Sequence, residues 1–288
     1  MSKRVQSPSS INTYKQCPRK YYYQYILKLP TKDNIHLVRG NVTHTVLEQF
    51  YEIDPSLLTE NYIEELTYYV KNLFNAHWTK AYPKIIKMGL TEEQIVFYYQ
   101  ETIMMLANWL NHILQKLRKE METKPIEEAF RSIKPAAIEQ EFSSNELMVR
   151  GFVDYIEEDG NDIKIMDYKT SKKFELTPEY KLQLAIYALL YDKKYGKRPT
   201  KAGIWFLKHG EILIDVNEEL VKLAKFEIEQ IHLATESDSI VDYPKHESPL
   251  CRYSTGQCDF YETCFKKHPQ NTHEVGPQSI PPILHEKY

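Results

Sequence analysis

The chain has 288 residues, 42% of them hydrophobic, and a formal net charge of −3 from 37 basic and 40 acidic side chains. That length can bury a sizeable core in one elaborated domain, and the slightly acidic balance excludes a protein coated in positive charge, so any nucleic-acid contact has to come from local patches. The polar start MSKRVQSPSS and the lack of an apolar run long enough to span a bilayer lead us to expect no signal peptide, no membrane segment and a cytoplasmic location.

Residues 9–51 read as helices. The first stretch, SSINTYKQCPRKYYYQYIL from Ser9 to Leu27, and the adjoining Lys28 interleave Lys15, Arg19 and Lys20 with Tyr14 and Tyr21 to Tyr23. Cations with stacking aromatics suit a single strand; the same pattern suits a helix that packs its tyrosines and turns its lysines to water. In RGNVTHTVLEQFYE, Val42, Val46, Leu47 and Phe50 recur at helical spacing, which puts His44 and Glu48 one turn apart on one face. Such a pair is either a metal ligand with a helper or a simple i,i+4 contact. Long amphipathic helices are predicted over 62–78 and 91–120, the second opened by Thr91 to Gln94 as a capping box. They lie in an insertion of about 52–135, ahead of a core at about 136–235.

Three strands are predicted between about 136 and 169. In AIEQEFS the alternation places Glu139 and Glu141 on one face, where Glu141 either supports a site or belongs to a solvated strand face. The runs Leu147 to Ile156 and Asp162 to Lys169 are joined by EEDGN, whose Asp-Gly step signals a hairpin, so Asp154 can approach the Asp167 end. With a two-residue period, Asp167 and Lys169 leave one face and Tyr168 the other. Hard oxygen ligands suit a divalent ion that polarises a phosphodiester and acidifies water, and a nearby lysine can orient that water or stabilise developing charge. Taken alone, an Asp-x-Lys triplet is equally at home on a solvated strand edge. Thr177-Pro178 then starts a helix in N-cap and N1 order, and YKLQLAIYALLY sets Gln183 and Tyr187 on one face. A strand pair at 201–216 and a helix from Asn217 complete a βββαβ order. No phosphate-binding G-x4-G-K-[ST] loop occurs, so any unwinding calls for a partner.

The only four cysteines are Cys17 near the start and Cys251, Cys258 and Cys264 near the end. Four thiolates can hold a 4Fe-4S cluster or a tetrahedral zinc and so staple distant segments; uncoordinated thiols or disulfides are the other readings. From His268 the Pro-rich text reads as a loosely held tail or a docking peptide.

The ordered set of Ser9 to Leu27, the Gly40, His44, Glu48 triplet, Gly151 with Asp154, Asp167 to Lys169, Gln183 with Tyr187, and the late cysteines resembles the RecB-like branch of the PD-(D/E)XK nucleases, in particular the CRISPR-associated RecB-like exonucleases and the AddB nuclease domain. The resemblance implies an α/β, restriction-endonuclease-like core with a mixed central sheet, a helical insertion and a metal-stapled C-terminal segment. It implies one nuclease domain over 1–267, in which the cysteine segment 238–267 pairs with Cys17, followed by the tail 268–288. The implied activity is metal-dependent DNA hydrolysis, as an exonuclease on DNA ends or single strands. His44, Asp154, Asp167 and the backbone carbonyl of Tyr168 would hold Mg²⁺ or Mn²⁺, Lys169 would position the water, Glu48 would assist, and Gln183 and Tyr187 would steer the strand. Cys17, Cys251, Cys258 and Cys264 would carry a structural 4Fe-4S cluster, with zinc as the alternative because the spacing here is C-x6-C-x5-C where the family usually has C-x2-C-x5-C. Implied partners are DNA and a helicase or a CRISPR integration complex, with recombination, repair or viral genome processing as further settings. A non-catalytic nucleic-acid-binding module or a metal-stapled interaction protein is the alternative class.

Overall fold

A computed structural model of the chain describes residues 4–253 and 256–265. The chain divides into two compact units, Met1–His246 and Glu247–Tyr288.

The helices of the first unit start where the sequence offers caps. In α1 (Pro8–Gln16) Ser7 and Ser10 form a reciprocal capping box with Pro8 at the first helical position. Helix α2 (Pro18–Tyr21) runs into a π-helical turn, Tyr22–Ile26. Asn34 caps α3 (Ile35–Phe50), the helix that carries His44. The insertion contributes α4 (Tyr62–Ile86), α5 (Glu92–Met121) and α6 (Ile126–Ile133), with Thr91 and Gln94 boxing the start of α5. Helix α4 continues past the predicted end at 78 and through Pro83, because Ile85 is fully buried in the core and holds the last turn by packing.

The sheet has the order β1-β2-β3-β4-β5, from β1 (Ala137–Ser144), β2 (Val149–Asp159), β3 (Asp162–Lys169), β4 (Lys201–Phe206) and β5 (Gly210–Asp215). All neighbours are antiparallel except β3 and β4, which are parallel and joined through α7 (Pro178–Tyr195). The β2–β3 turn is Gly160-Asn161, with Gly160 at φ +59°; Asp159, expected in the turn, closes the ladder opposite Asp162. Thr177 caps α7, and Gly196 ends it at φ +64°. Asn217 caps α8 (Glu218–Ala234). One face of the sheet, with Tyr155, Met166, Tyr168 and Trp205, packs on α3 to α6; the other, with Val153, Ile165, Ile204 and Phe206, packs on α1, α7 and α8. The result is a helix–sheet–helix sandwich with a mixed sheet, the architecture expected.

The tyrosine-rich start belongs to this packing. Tyr21, Tyr22 and Tyr23 are all buried; the Tyr21 ring stacks on Tyr243 at 6.1 Å between centroids, and Gln6 Nε2 donates to the Tyr21 hydroxyl at 2.9 Å. Arg19 Nε donates to the Tyr243 carbonyl at 2.7 Å. Of the two readings of this stretch, stacking on a nucleic acid is therefore the wrong one: the rings are taken up by the core.

In the second unit β6 (Arg252–Tyr253) and β7 (Gly256–Gln257) form a small hairpin, followed by α9 (Tyr261–Phe265). The tail expected at 268–288 lies outside the described residues. No helix among the described residues is long and apolar enough to cross a membrane.

Candidate active site

The site forms where three strands and two helices bring charged groups to one place. Helix α3 supplies His44, β1 supplies Glu139, β2 supplies Asp154, β3 supplies Asp167 and Lys169, and α7 supplies Gln183 and Tyr187. His44 Nδ1 stands 3.3 Å from Asp154 Oδ1 and 3.7 Å from Glu139 Oε1. One ligand atom from each of His44, Glu139 and Asp154 lies within 4.8 Å of the others, close enough for one cation.

Strand irregularity makes that group. The β1–β2 register pairs Ile138 with Tyr155 and Gln140 with Val153, and the missing rung between them is Glu139 opposite Asp154. Glu139 has φ +46°. Across Asp154 the alternation slips by one: Val153 and Ile156 face the α7 side, whereas Tyr155, which strict alternation would put on that side, faces α3. Both acids are thereby taken out of the ladder and turned towards His44. Glu141, which simple alternation places beside Glu139, is instead exposed and lies 3.8 Å from Arg150.

Asp167 and Lys169 do share a face. Lys169 Nζ is 2.5 Å from Asp167 Oδ2, while Gln183 Nε2 donates to Asp167 Oδ1 at 2.8 Å and lies 2.8 Å from the Tyr187 hydroxyl. The partner of buried Asp167 Oδ2 is thus the Lys169 ammonium. Tyr168 turns the other way: its hydroxyl accepts from Trp109 Nε1 at 3.1 Å, and its backbone N–H donates to Asp154 Oδ2 at 2.6 Å. Gly151 explains its own place, because a Cβ there would sit 2.6 Å from the Tyr187 ring. Glu48 lines a small pocket with His44, Tyr51, Glu139 and Asp154, and burial followed by the Glu139 charge raises its pKa.

Charge in the cluster is concentrated and under-compensated. Burial raises the Asp154 pKa to about 6, helped by the Asp167 charge and opposed by His44. For His44, burial disfavours the charged ring, but hydrogen bonds to Asp154 and Glu139 outweigh it and lift the pKa to about 10. Lys169 follows the same balance, since burial opposes its charge and Asp167 more than restores it, raising the pKa. The donor set of one imidazole and two carboxylates, from His44, Glu139 and Asp154, fits a divalent cation.

A family model described as the PD-(D/E)XK nuclease superfamily matches residues 6–265. The chain belongs to the PD-(D/E)XK nuclease superfamily. Within that superfamily it resembles one component of the ATP-dependent helicase/deoxyribonuclease of Alkaliphilus oremlandii (strain OhILAs), 34% identical over 108 residues, which is 33% of this chain and 9% of the relative. The chain thus spans about a tenth of that relative's length. Its fold is like that of a candidate exonuclease from Eubacterium rectale, with a TM-score of 0.50, 11% identity, and 96% of this chain and 91% of the other covered.

Of the residues singled out in the sequence, the structure brings His44, Asp154, Asp167, Lys169, Gln183 and Tyr187 together. The potential ligand that the sequence did not single out is Glu139. Its signal in the sequence, an acid in an alternating strand, is shared with Glu141, and the positive φ at Glu139 in β1 separates them. Cys17 lies between α1 and α2 in the first unit. In the second, the Cys258 N–H donates to the Cys251 carbonyl at 3.0 Å across the hairpin, and Cys264 sits on α9.

Proposed function

We propose that the chain is a divalent-metal-dependent DNA nuclease that acts on DNA ends or single strands. The observation that carries this reading is the convergence of His44, Glu139 and Asp154 beside the Asp167–Lys169 pair. In it, His44, Glu139, Asp154 and Asp167, with the Tyr168 carbonyl, hold the ion, which when bound polarises the phosphodiester and makes water a better nucleophile. An imidazole among the ligands favours Mn²⁺ over Mg²⁺.

The remaining chemistry belongs to the chain's own groups. Lys169 is held charged by Asp167, so it acts as a donor that orients the attacking water and meets developing negative charge, rather than as a base. Gln183 fixes the Asp167 carboxylate, and Tyr187, its hydroxyl kept neutral by burial, braces Gln183. DNA as the substrate is favoured by the deoxyribonuclease in the name of the Alkaliphilus relative, which also suggests a helicase as partner. Cys17, Cys251, Cys258 and Cys264 are proposed to share a structural 4Fe-4S cluster or zinc, and the domain to run over 1–267. Anaerobically purified protein should then hold about four irons per chain, or one zinc.

The test is digestion of end-labelled single-stranded, double-stranded and circular DNA with Mn²⁺ or Mg²⁺, with and without EDTA. Cleavage that EDTA abolishes, with the circular substrate spared, is expected. DNA left intact under all conditions would refute the nuclease reading, and cleaved circles would replace an exonuclease with an endonuclease.

A further inference from the structure

The segment that leaves β3 builds a second surface immediately beyond the catalytic lysine. Thr170 follows Lys169, and the next residues place Lys172 and Lys173 in solvent, with Glu175 the one exposed acid between β3 and α7 and with Glu179 and Glu93 exposed on the flanking helices. Lys172 Nζ lies 5.8 Å from the centre of the Phe97 ring, and the Lys172 carbonyl is 2.9 Å from His209 Nε2. The His209 ring lies 5.5 Å from that of Phe174. Phe97 and Phe174 are 49% and 51% exposed, so two large rings stand half in water, each beside a cationic or imidazole side chain. Exposed apolar side chains are common on this chain, and what sets these two rings apart is their place beside Lys172 and His209.

Beneath the strip the charge is also positive. Arg39 and Lys208, both buried, share one carboxylate, Glu101, with Lys208 Nζ donating at 2.5 Å. Arg39 also donates to the Thr170 carbonyl at 3.2 Å, which fastens the segment to α3, and its Nε is buried without a partner. Burial and then the Arg39 charge lower the pKa of His36 beside them, opposed by Glu101 and helped by Lys172 and Lys208.

From this arrangement we infer that the strip is a track for single-stranded nucleic acid, with bases stacked on Phe97 and Phe174 and phosphates held by Lys172 and Lys173. The inference rests on the nuclease reading and adds where the strand lies and why it is single. A duplex keeps its base faces stacked on one another and cannot use the exposed rings, whereas an unpaired strand can use both rings and charge. The track replaces the tyrosine stretch at the N-terminus, whose rings are spent in the core.

The test uses the Lys169→Ala chain with Mn²⁺, which should hold a strand without cutting it, and fluorescence anisotropy of labelled oligothymidylate and of a DNA hairpin duplex. Phe97→Ala and Phe174→Ala should each weaken oligothymidylate binding roughly tenfold and change duplex binding little. Phe174→Trp should restore it. Lys172→Ala should flatten the dependence of log affinity on log salt by about 0.7. Mn²⁺ affinity should be unchanged in all four, which separates strand binding from damage to the site. Unaltered oligothymidylate binding in Phe97→Ala and Phe174→Ala, with the unmodified chain still cutting DNA, would overturn the track alone. Equal losses for duplex would overturn its single-strand character. If the parent neither binds nor the unmodified chain cuts, the nuclease reading falls and the track with it.

Discussion

The N-terminal stretch of α1 and α2 and the strand cluster around Asp154 both carry the residue types of a nucleic-acid enzyme, yet they end in opposite states. In the first, the cations and rings singled out by the sequence are paired within the protein: Arg19 donates to the Tyr243 carbonyl, Tyr21 meets Gln6, and Lys15 pairs with Glu227, while the neutral Asn12 Oδ1 is buried without a partner. In the second, the carboxylates of Glu139, Asp154 and Asp167 face one imidazole and one lysine, with the Lys169 ammonium 2.5 Å from Asp167 Oδ2. Buried charges in excess of their partners are costly, and a protein retains them where a ligand completes them. Composition cannot separate the two regions; the concentration of buried charge at one place does.

The largest effect should come from the second region. Asp154→Ala, Asp167→Ala and Lys169→Ala should each lower the cleavage rate by on the order of a hundredfold or more, as removed transition-state stabilisers do. Circular dichroism should show the fold retained, and near-normal cleavage by Asp167→Ala would dissolve the contrast. Gly151→Ala comes next. It forces Tyr187 away from β2 at a cost of about 1–3 kcal/mol and disturbs Gln183 and hence Asp167, so stability and rate should fall together in denaturation and cleavage assays.

Arg19→Ala should show the reverse pattern, a loss of about 1–2 kcal/mol of stability with the cleavage rate per folded molecule unchanged, because it removes hydrogen bonds to backbone carbonyls and nothing at the site. A rate loss without a stability loss would return that stretch to the catalytic apparatus. The smallest effect concerns protons. Without metal, the raised His44 pKa contributes stability that is fully present below pH 6.5 and is lost as pH rises through about 10; Asp154, raised from 3.8 to about 6, adds a loss in the same direction at lower pH. The metal-free protein should therefore lose stability from about pH 4 to pH 10, while Mn²⁺, which needs a neutral imidazole, should stabilise more as pH rises. Calorimetry in buffers of different ionisation enthalpy near pH 7.5 should detect about one proton released per ion bound. A melting-temperature gain from Mn²⁺ that shrinks with pH would count against His44 as a ligand.

The elements were legible in the sequence because short-range physics sets them. Thr91 with Gln94 and Thr177 with Pro178 are caps that act within one turn. The two-residue period places Asp167 and Lys169 together, and the helical period does the same for Gln183 and Tyr187 on α7. The ordered spacing of these residues across the chain was enough for the family. Tertiary structure alone decided which neighbouring acid enters the site: Glu139 and Glu141 are equivalent by periodicity, and a positive φ opposite Asp154 turns one inward and leaves the other in water. It also decided that Tyr21 to Tyr23 are core, since a ring's fate depends on what packs over it, here Tyr243 from more than two hundred residues away. Periodicity reports which face a side chain leaves by. Whether that face meets solvent, a core or an ion is set by contacts distant in sequence, which no local pattern encodes.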